Sequence, residues 1–218
     1  MKIAGMTQIG LLLPSRETSM TGEHDAAGLV RFARAAEDAG FDSVWIGDSP
    51  LARTRVDPLP LLAAVAATTA RVQLGTAALT ATLRHPLLGA HTAATVDQLS
   101  NGRLVLGLGA GFPLPESRDE FAAVGVPFDQ RVGRLDETVA IWRRSWSGGT
   151  EFDGRYWQLD DLTRTLPAAT FAIRQERIGR TGHTWVRSLA RGGQTGRWQA
   201  SWRRTGPMVD PARCSGLP

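Results

Sequence analysis

Four polar residues with possible chemistry lie near the ends of predicted strands. Asp48 and Ser49 directly follow a short apolar run, and Arg84 and His85 stand just before a proline. A carboxylate or hydroxyl there could hydrogen-bond a cofactor or substrate, and an arginine beside a helix N-terminus could bind a phosphate or an acidic substrate. An imidazole titrates near neutral pH and can transfer protons. We therefore take Asp48 and His85 as catalytic candidates, and Ser49 and Arg84 as substrate or anion candidates.

Two of these candidates have a simpler interpretation that the sequence leaves open. Asp48 could instead be a carboxylate that caps its own loop, because Asp commonly accepts backbone hydrogen bonds in such positions. His85 could be the residue that begins a helix, since Pro86 follows it at a position where helices often start. The sequence alone does not decide between the chemical and the structural roles.

Small residues occur at the ends of two further predicted strands, where they let a flat ring or a phosphate approach the backbone. One alternative is a barrel strand with small side chains at its rim. Another is a dinucleotide fingerprint, which the Gly-x-Gly-x-Gly spacing fits poorly because Pro113 and Pro115 follow before any helix. The cofactor-binding candidates are Gly75, Thr76, Ala77, Gly107, Gly109 and Gly111.

Short apolar runs alternate with helical periods over residues 1–162, which is typical of strand-helix units that build a parallel sheet. The fold class predicted is therefore α/β. Asp153 and Gly154 between aromatic residues predict a short β-hairpin after the last helix. The predicted strands are 9–13, 43–46, 72–77 and 104–108, and the predicted helices are 29–39, 58–69, 86–99 and 128–146.

The composition narrows the class of protein. The 218 residues are 42% hydrophobic and 21% charged, which is typical of a globular chain and excludes disorder throughout. No run of about 18 apolar residues occurs, and the N-terminus lacks a signal-peptide core, so we expect a cytoplasmic protein without membrane segments. The single Cys214 excludes an internal disulfide, and no Cys/His cluster has zinc spacing, so we expect no metal.

Charge is distributed unevenly along the chain. Residues 1–162 carry 15 basic and 19 acidic side chains, a balance of −4, whereas residues 163–218 carry 10 and 2, a balance of +8. The second segment shows no strand or helix period and holds few aliphatic residues. We interpret it as a basic tail that is disordered or translated out of frame, and place the domain boundary after residue 162.

Three stretches, read together, resemble one known family over about residues 7–162. They are 39–48 (AGFDSVWIGD), 74–77 (LGTA) with 84–86 (RHP), and 98–111 (QLSNGRLVLGLGAG). The family is the luciferase-like monooxygenases, which are flavin- or F-420-dependent oxidoreductases. The resemblance implies a TIM (β/α) barrel that binds FMN or the F-420 deazaflavin at the C-terminal ends of its strands. It also implies that Gly75-Thr76-Ala77 is a bulge facing the cofactor ring, and that the Gly107–Gly111 stretch lines the cofactor pocket.

The function that the resemblance implies is oxidation of a small organic substrate, with or without oxygen. Luciferase-type members carry a catalytic His where this chain has Ser49, and that departure favours hydride transfer to a deazaflavin over oxygen activation. Two other function classes stay open. One is a half-barrel remnant without catalysis, and the other, less favoured, is a nucleic-acid binder that uses the basic tail and its tryptophans.

Four strand-helix units account for 162 residues, about half of an eightfold barrel. We therefore expect an incomplete, truncated barrel whose first and fourth strands are open edges. Whether the truncation leaves the chain inactive stays open. Two copies could pair those edges into a homodimer, or the tail could cover one of them.

Overall fold

The computed structural model describes residues 8–163 and the backbone of two further strands. The helices are α1 (Ser15–Thr21), α2 (Ala26–Asp38), α3 (Pro58–Thr68), α4 (Pro86–Leu99), α5 (Pro115–Ala123) and α6 (Arg131–Trp146). The strands are β1 (Gly10–Leu12), β2 (Ser43–Ile46), β3 (Gln73–Thr76), β4 (Leu104–Gly109), β5 (Phe152–Asp153), β6 (Gln158–Leu159), β7 (Arg174–Ile178) and β8 (His183–Arg187). Short 3-10 helices lie at Ala81–Leu83 and Phe128–Gln130.

The first four strands form a parallel sheet in sequence order, with helices between them. This is the predicted α/β arrangement, and it corresponds to part of a TIM barrel. The four predicted strands and the four predicted helices are all present, with ends that shift by a few residues. The hairpin predicted at Asp153 is also present, as β5 paired antiparallel with β6.

Register sorts the side chains of the sheet onto two faces, because successive residues of a strand point to opposite sides. Val44, Leu74 and Leu104 lie side by side and belong to the core beneath the helices. The neighbouring row holds Leu12, Trp45, Gly75 and Val105. We call this second side, which turns away from the helices, the inner face. Leu12 is 55% exposed on it, so the inner face is open at β1.

Local sequence explains where the main helices begin. Asp57 accepts a hydrogen bond from the Leu59 N–H at 3.0 Å and is followed by Pro58, a residue whose missing N–H costs nothing in a first helical turn. The Asp25 carboxylate does the same for α2, accepting from the Gly28 N–H at 2.7 Å. These caps place the helix N-termini at the end of the sheet where the parallel strands terminate.

Two helices were not predicted from the sequence. The first, α1, is a helix of seven residues, and α5 lacks an apolar period because only Glu120 and Phe121 are buried on it. A helix is predicted from apolar residues at helical spacing, and α5 has no such spacing, so its sequence does not predict it.

The tail also departs from the expectation that it carries no strands. Strand β8 pairs antiparallel with β4 and β7 pairs with β8, so residues 174–178 and 183–187 extend the sheet to six strands. Main-chain hydrogen bonds to an exposed strand edge require no alternating side-chain pattern, so no period in the sequence marks these two strands. Of the two expected open edges, β4 is thus covered by the tail, and β1 remains an edge. Pairing of two copies stays a prediction, as does the boundary at residue 162.

Among the described residues, none of the helices combines the length and apolar character that a membrane crossing requires.

Two charged residues, the buried Glu37 and the half-buried Arg103, hold the N-terminal end of β3. The Glu37 carboxylate, 2% exposed, accepts hydrogen bonds from the N–H groups of Ala70, Arg71 and Val72 at 2.6–3.0 Å. The Arg103 guanidinium donates to the carbonyls that end α3, including that of Ala66 at 3.0 Å. A buried ion is tolerated only when its hydrogen bonds are satisfied, and these two ions fix the turn that feeds β3.

The Glu37 carboxylate predicts a specific loss of stability in acid. Burial by itself would raise the pKa of Glu37, but the three N–H donors lower it to about 2. Because the folded pKa lies below the unfolded one, the stabilisation is complete above about pH 4.5 and is lost as the pH falls toward 2. The shift corresponds to about 3 kcal/mol.

Chemical denaturation between pH 2 and 7 checks this prediction. The free energy of unfolding should fall less steeply with acid in Glu37→Gln than in the unmodified chain, with the two curves converging toward pH 2. Asp38→Asn, a change of an exposed neighbour, should leave the acid slope as it is. Parallel curves for the unmodified chain and Glu37→Gln would contradict the prediction.

Candidate active site

Asp48, at the C-terminal end of β2, binds Arg84 in a buried ion pair. The Asp48 side chain is 1% exposed, and its Oδ2 lies 2.7 Å from Nη1 of Arg84 while Oδ1 accepts from Nη2 at 3.1 Å. Oδ2 also accepts from the Thr80 N–H at 2.9 Å. Nη2 of Arg84 donates a further bond to Asp57 at 2.8 Å. One guanidinium therefore connects the end of β2 to the loop after β3 and to the N-cap of α3.

Burial shapes the protonation of this cluster. Burial raises the pKa of the Asp48 carboxyl, against the opposing influence of the Arg84 guanidinium and the Thr80 N–H. Burial alone would lower the pKa of Arg84, but the hydrogen bonds and charges of Asp48 and Asp57 raise it instead. Arg84 is therefore a permanent cation held between two acids.

These contacts decide what the two candidates can do. Both oxygens of Asp48 are committed to protein donors, which corresponds to the loop-capping role rather than to contact with a ligand. Arg84 is neutralised by Asp48 and Asp57, so it offers little net positive charge to an anion. Its predicted role as an anion site finds no support in this geometry, because two carboxylates already occupy the donors that a phosphate would need.

The end of β3 contains a bulge. Gly75 pairs with Val105, and the next pairing is Leu79 with Leu108, so β3 advances four residues while β4 advances three. The Thr76 hydroxyl fills the gap by donating to the Gly107 carbonyl at 2.8 Å and accepting from the Gly107 N–H at 2.9 Å. The peptide bond Ala77–Ala78 within this bulge is cis. Thr76 thus positions the bulge through its side chain.

Gly75 has a different neighbour from the one that its small size suggested. A Cβ added at Gly75 would lie 2.1 Å from the Trp45 ring, and one added at Gly10 would lie 2.6 Å from Nε1 of the same indole. The Trp45 Nε1–H donates to the Ser43 hydroxyl at 2.8 Å. The flat ring against Gly75 is therefore the protein's own indole, which lies across the inner face from β1 to β3.

The glycines after the fourth strand divide into two groups. Gly107 and Gly109 lie within β4 and pair with Leu79 and with β8 through their backbones. Gly111 has a φ of +84°, and a Cβ there would lie 3.0 Å from Phe121. Gly111 is thus required by the turn and by close packing, whatever else it contacts.

Ser49 belongs to a loop that a buried acid organises. Oε1 of Glu120, a residue 6% exposed on α5, accepts from the N–H groups of Leu51 at 2.9 Å and Ala52 at 3.1 Å. The Ser49 hydroxyl donates to the same oxygen at 3.5 Å and accepts from the Arg53 N–H at 3.0 Å. Ser49 therefore helps to shape the loop between β2 and α3.

His85 begins α4, as its simpler interpretation proposed. Its Nδ1 accepts from the Leu87 N–H at 3.3 Å, and its exposed ring stands edge-on to Trp157 with 4.9 Å between ring centres. A cavity of about 340 Å³ lies beside it between the first turns of α3 and α4, lined in part by Asp57 and Leu88. His85 thus faces the helix side and lies apart from the inner face.

Small, half-buried residues border the C-terminal end of the inner face. Trp45 is half-buried there, and the bulge residues Ala77 and Ala78 are half-buried with no side chain beyond Cβ. The Ala77 carbonyl lies 3.5 Å from the position of a Cβ at Gly47, so the bulge borders this face. A ring can lie against such small residues at van der Waals distance, and ligands of α/β barrels bind at this end of the strands.

Sequence reasoning missed three residues of this region. Trp45 was assigned only to a strand, and Glu120 and Arg55 were not singled out. The sequence gives only a weak signal for Glu120, which stands beside Phe121 in a segment without helical period. Trp45 could have been noticed because its partner on β3 is Gly75, and Gly10 lies two residues before its partner Leu12 on β1, so two glycines leave room for its ring.

Within the part of the chain that the structure describes, no group of three His, Cys, Asp or Glu residues is arranged to bind a metal ion.

The Asp48–Arg84 pair predicts a large difference between two Asp to Asn changes. Asp48→Asn should lower the free energy of unfolding by about 2–4 kcal/mol, because it removes a buried negative charge that faces a guanidinium. Asp38→Asn removes an exposed partner of Arg34 and should change it by less than about 0.5 kcal/mol. Urea denaturation of both variants makes the comparison, and equal effects would contradict a stabilising role for the pair.

Comparison with known proteins places this fold and site in context. A curated F420-dependent glucose-6-phosphate dehydrogenase from Kineococcus radiotolerans is 43% identical over 145 residues, which are 62% of this chain and 42% of that protein. A monooxygenase structure from Streptomyces bottropensis superposes with a TM-score of 0.63 at 32% identity, covering 74% of this chain and 49% of that one. An F420-dependent secondary alcohol dehydrogenase, solved with an F420-acetone adduct, gives a TM-score of 0.59 at 25% identity, covering 73% and 49%.

The chain thus spans less than half of the length of these proteins. The family model that describes luciferase-like monooxygenases matches residues 7–190, which extends past residue 162 and includes β7 and β8. This match covers most of the chain and includes the bulge, the Asp48–Arg84 pair and the inner face. The chain belongs to the luciferase-like monooxygenase family.

Proposed function

We propose that this chain provides the N-terminal part of an F420-dependent dehydrogenase, which transfers hydride between a small organic substrate and the deazaflavin. The observation that carries the proposal is the 43% identity to an F420-dependent glucose-6-phosphate dehydrogenase over 145 residues. A second relative with an F420 adduct has the same fold. The replacement of the catalytic His of luciferase-type members by Ser49 agrees with hydride transfer.

In this proposal the cofactor supplies the hydride acceptor, and the chain supplies its support. Ala77 and Ala78 form the small surface against which the ring lies, and Thr76 fixes their position through Gly107. The Trp45 indole forms an apolar surface that keeps water from the part of the inner face nearer the N-terminal ends of the strands. The half-buried Arg84 holds the loops around this surface and takes no proton, since its guanidinium stays charged.

A flavin monooxygenase is the second candidate. The similarity to the Streptomyces bottropensis monooxygenase, at 32% identity, favours it. The same surface of small residues would accept the ring of FMN. The difference lies in whether the reduced cofactor reacts with oxygen or the oxidised cofactor accepts a hydride from a substrate C–H bond.

Binding of each cofactor to the full chain tests the proposal. We expect F420 to bind with a change in its absorbance and to bind more tightly than FMN. Glucose-6-phosphate and simple secondary alcohols are then screened for reduction of bound F420, and oxygen consumption with reduced FMN is measured in parallel. Oxygen-dependent turnover with FMN would favour the second candidate. Binding of neither cofactor would contradict both and support a half barrel without redox function.

A variant at the bulge sharpens this test. Ala77→Leu places a larger side chain at the surface proposed for the ring and should weaken F420 binding at least tenfold, by steric overlap. Ala64→Leu makes the same change on an exposed position of α3 and should leave F420 binding unchanged. Equal affinities in the two variants would exclude the bulge as the cofactor surface.

A further inference from the structure

Helices α3 and α4 pack side by side, and their outer surface carries no carboxylate, ammonium or guanidinium group. Their only ionisable side chains are Asp97, which is buried, and His91. The neighbouring helices differ, since α2 exposes Arg31 and Asp38 and α6 exposes Arg144. We call the exposed side chains of these two helices the α3–α4 face, which includes Pro60, Ala64, Ala67, Leu88, Thr92 and Leu99.

The hydroxyl groups of α3 and α4 are already hydrogen-bonded within their own helices. Thr92 and Thr95 donate to the carbonyls four residues before them, at 2.8 and 2.9 Å. Thr68 donates to the Val65 carbonyl at 3.2 Å. Burying a hydroxyl is costly only when it loses its hydrogen bond, and these bonds stay within the helix when another surface covers it. The three threonines therefore allow this face to be covered by an apolar surface.

The α3–α4 face combines a protruding leucine with a cavity. Leu88, in the first turn of α4, is 68% exposed. The cavity of about 340 Å³ lies beside it between the first turns of the two helices, and its lining includes Pro60, Gly89 and Thr92. A protruding apolar side chain and a cavity on one uncharged surface are typical of a protein–protein contact.

A second copy of this chain is the partner that matches the α3–α4 face. An uncharged face meets its own copy without placing like charges opposite each other, whereas a partner recognised through its charges finds no opposite charge there. A two-fold axis puts the same surface on both sides of a contact. Each Leu88 can then enter the cavity of the other copy, so the protrusion and the cavity complement each other.

We propose that two copies of this chain form a two-fold symmetric dimer through the α3–α4 face, with Leu88 of each copy in the cavity of the other. This interface is separate from the edge of β1, at which the sequence predicts pairing of two copies. The cavity lining also includes Asp57 and Arg84, so the dimer covers the exposed side of their ion pair. The inference needs no cofactor and does not depend on the proposed function.

Sedimentation of the full chain in the analytical ultracentrifuge, over a series of concentrations, tests the proposal. The unmodified chain should sediment as a dimer that dissociates on dilution. Leu88→Arg should raise the dissociation constant at least tenfold, because it puts an unpaired guanidinium into each cavity. Thr92→Arg, a second change in the cavity lining, should act in the same direction. Val132→Arg changes a residue 47% exposed on α6 and should leave the dissociation constant as it is.

Unfolding measurements provide a second readout of the dimer. Because association stabilises only the folded chain, the midpoint of urea unfolding should rise with protein concentration in the unmodified chain and in Val132→Arg. The midpoint should be independent of concentration in Leu88→Arg. Circular dichroism of each variant checks that the helices are kept, and Thr92→Arg keeps the test decisive if Leu88→Arg folds poorly.

Three results would overturn the proposal. One is a monomer at every concentration of the unmodified chain. Another is a dimer with the same dissociation constant in the unmodified chain, Leu88→Arg and Thr92→Arg. The third is a dimer that Leu12→Arg dissociates and Leu88→Arg does not, which would assign the contact to the edge of β1.

Discussion

The half-buried Arg84 guanidinium connects the parts of the molecule that form the candidate site. It lies between the Asp48 carboxylate at the end of β2 and the Asp57 carboxylate at the start of α3, while Asp48 also accepts from the loop after β3. An ion in this position is tolerated because its partners surround it, and removing Asp48 takes away its buried partner and leaves Arg84 paired only with the more exposed Asp57. The geometry of two strand ends and one helix start thus depends on one side chain.

The two faces of the sheet carry different kinds of side chain. The face beneath the helices holds aliphatic side chains in register, such as Val44 and Leu74, and supplies the core. The inner face holds an indole across two glycines, followed by a bulge of small residues at the C-terminal end. Since successive side chains of a strand point to opposite faces, the same four strands can pack aliphatic side chains closely on one face and present an indole and small residues on the other.

The sequence predicts much of the fold because its signals are local. Four strands and four helices follow from the alternation of apolar runs with helical periods and from the prolines after Asp57 and His85. The pair Asp153-Gly154 predicts the hairpin, and all of these elements are present. Helix α5 and strands β7 and β8 escape prediction for different reasons. The helix buries too few apolar residues to show a period, and the strands form by main-chain pairing with β4, a contact between distant parts of the chain.

The candidate site stays a prediction, and the contacts that its residues make could not be read from the sequence. Asp48 and Arg84 were both singled out, yet the sequence gives no sign that they bind each other across 36 positions. Gly75 was correctly found at a strand with a bulge, but the ring that covers it comes from Trp45 on the neighbouring strand. Small residues indicate that a flat ring can pack against the backbone, and they do not indicate whether the ring belongs to a ligand or to the protein.

Positioning of the site and closure over its ligand have different physical requirements. The pairs that fix the loops, Asp48 with Arg84, Thr76 with Gly107 and Ser49 with Glu120, all join residues of the first 130 positions. Their geometry therefore requires no contact from the remainder of a barrel. The inner face is different, because Leu12 is exposed on it and Trp45 is only half-buried. A cofactor ring that bound there, as proposed above, would keep one side in water, where electrostatic interactions are weak, so the proposed hydride transfer would need that open side to be covered.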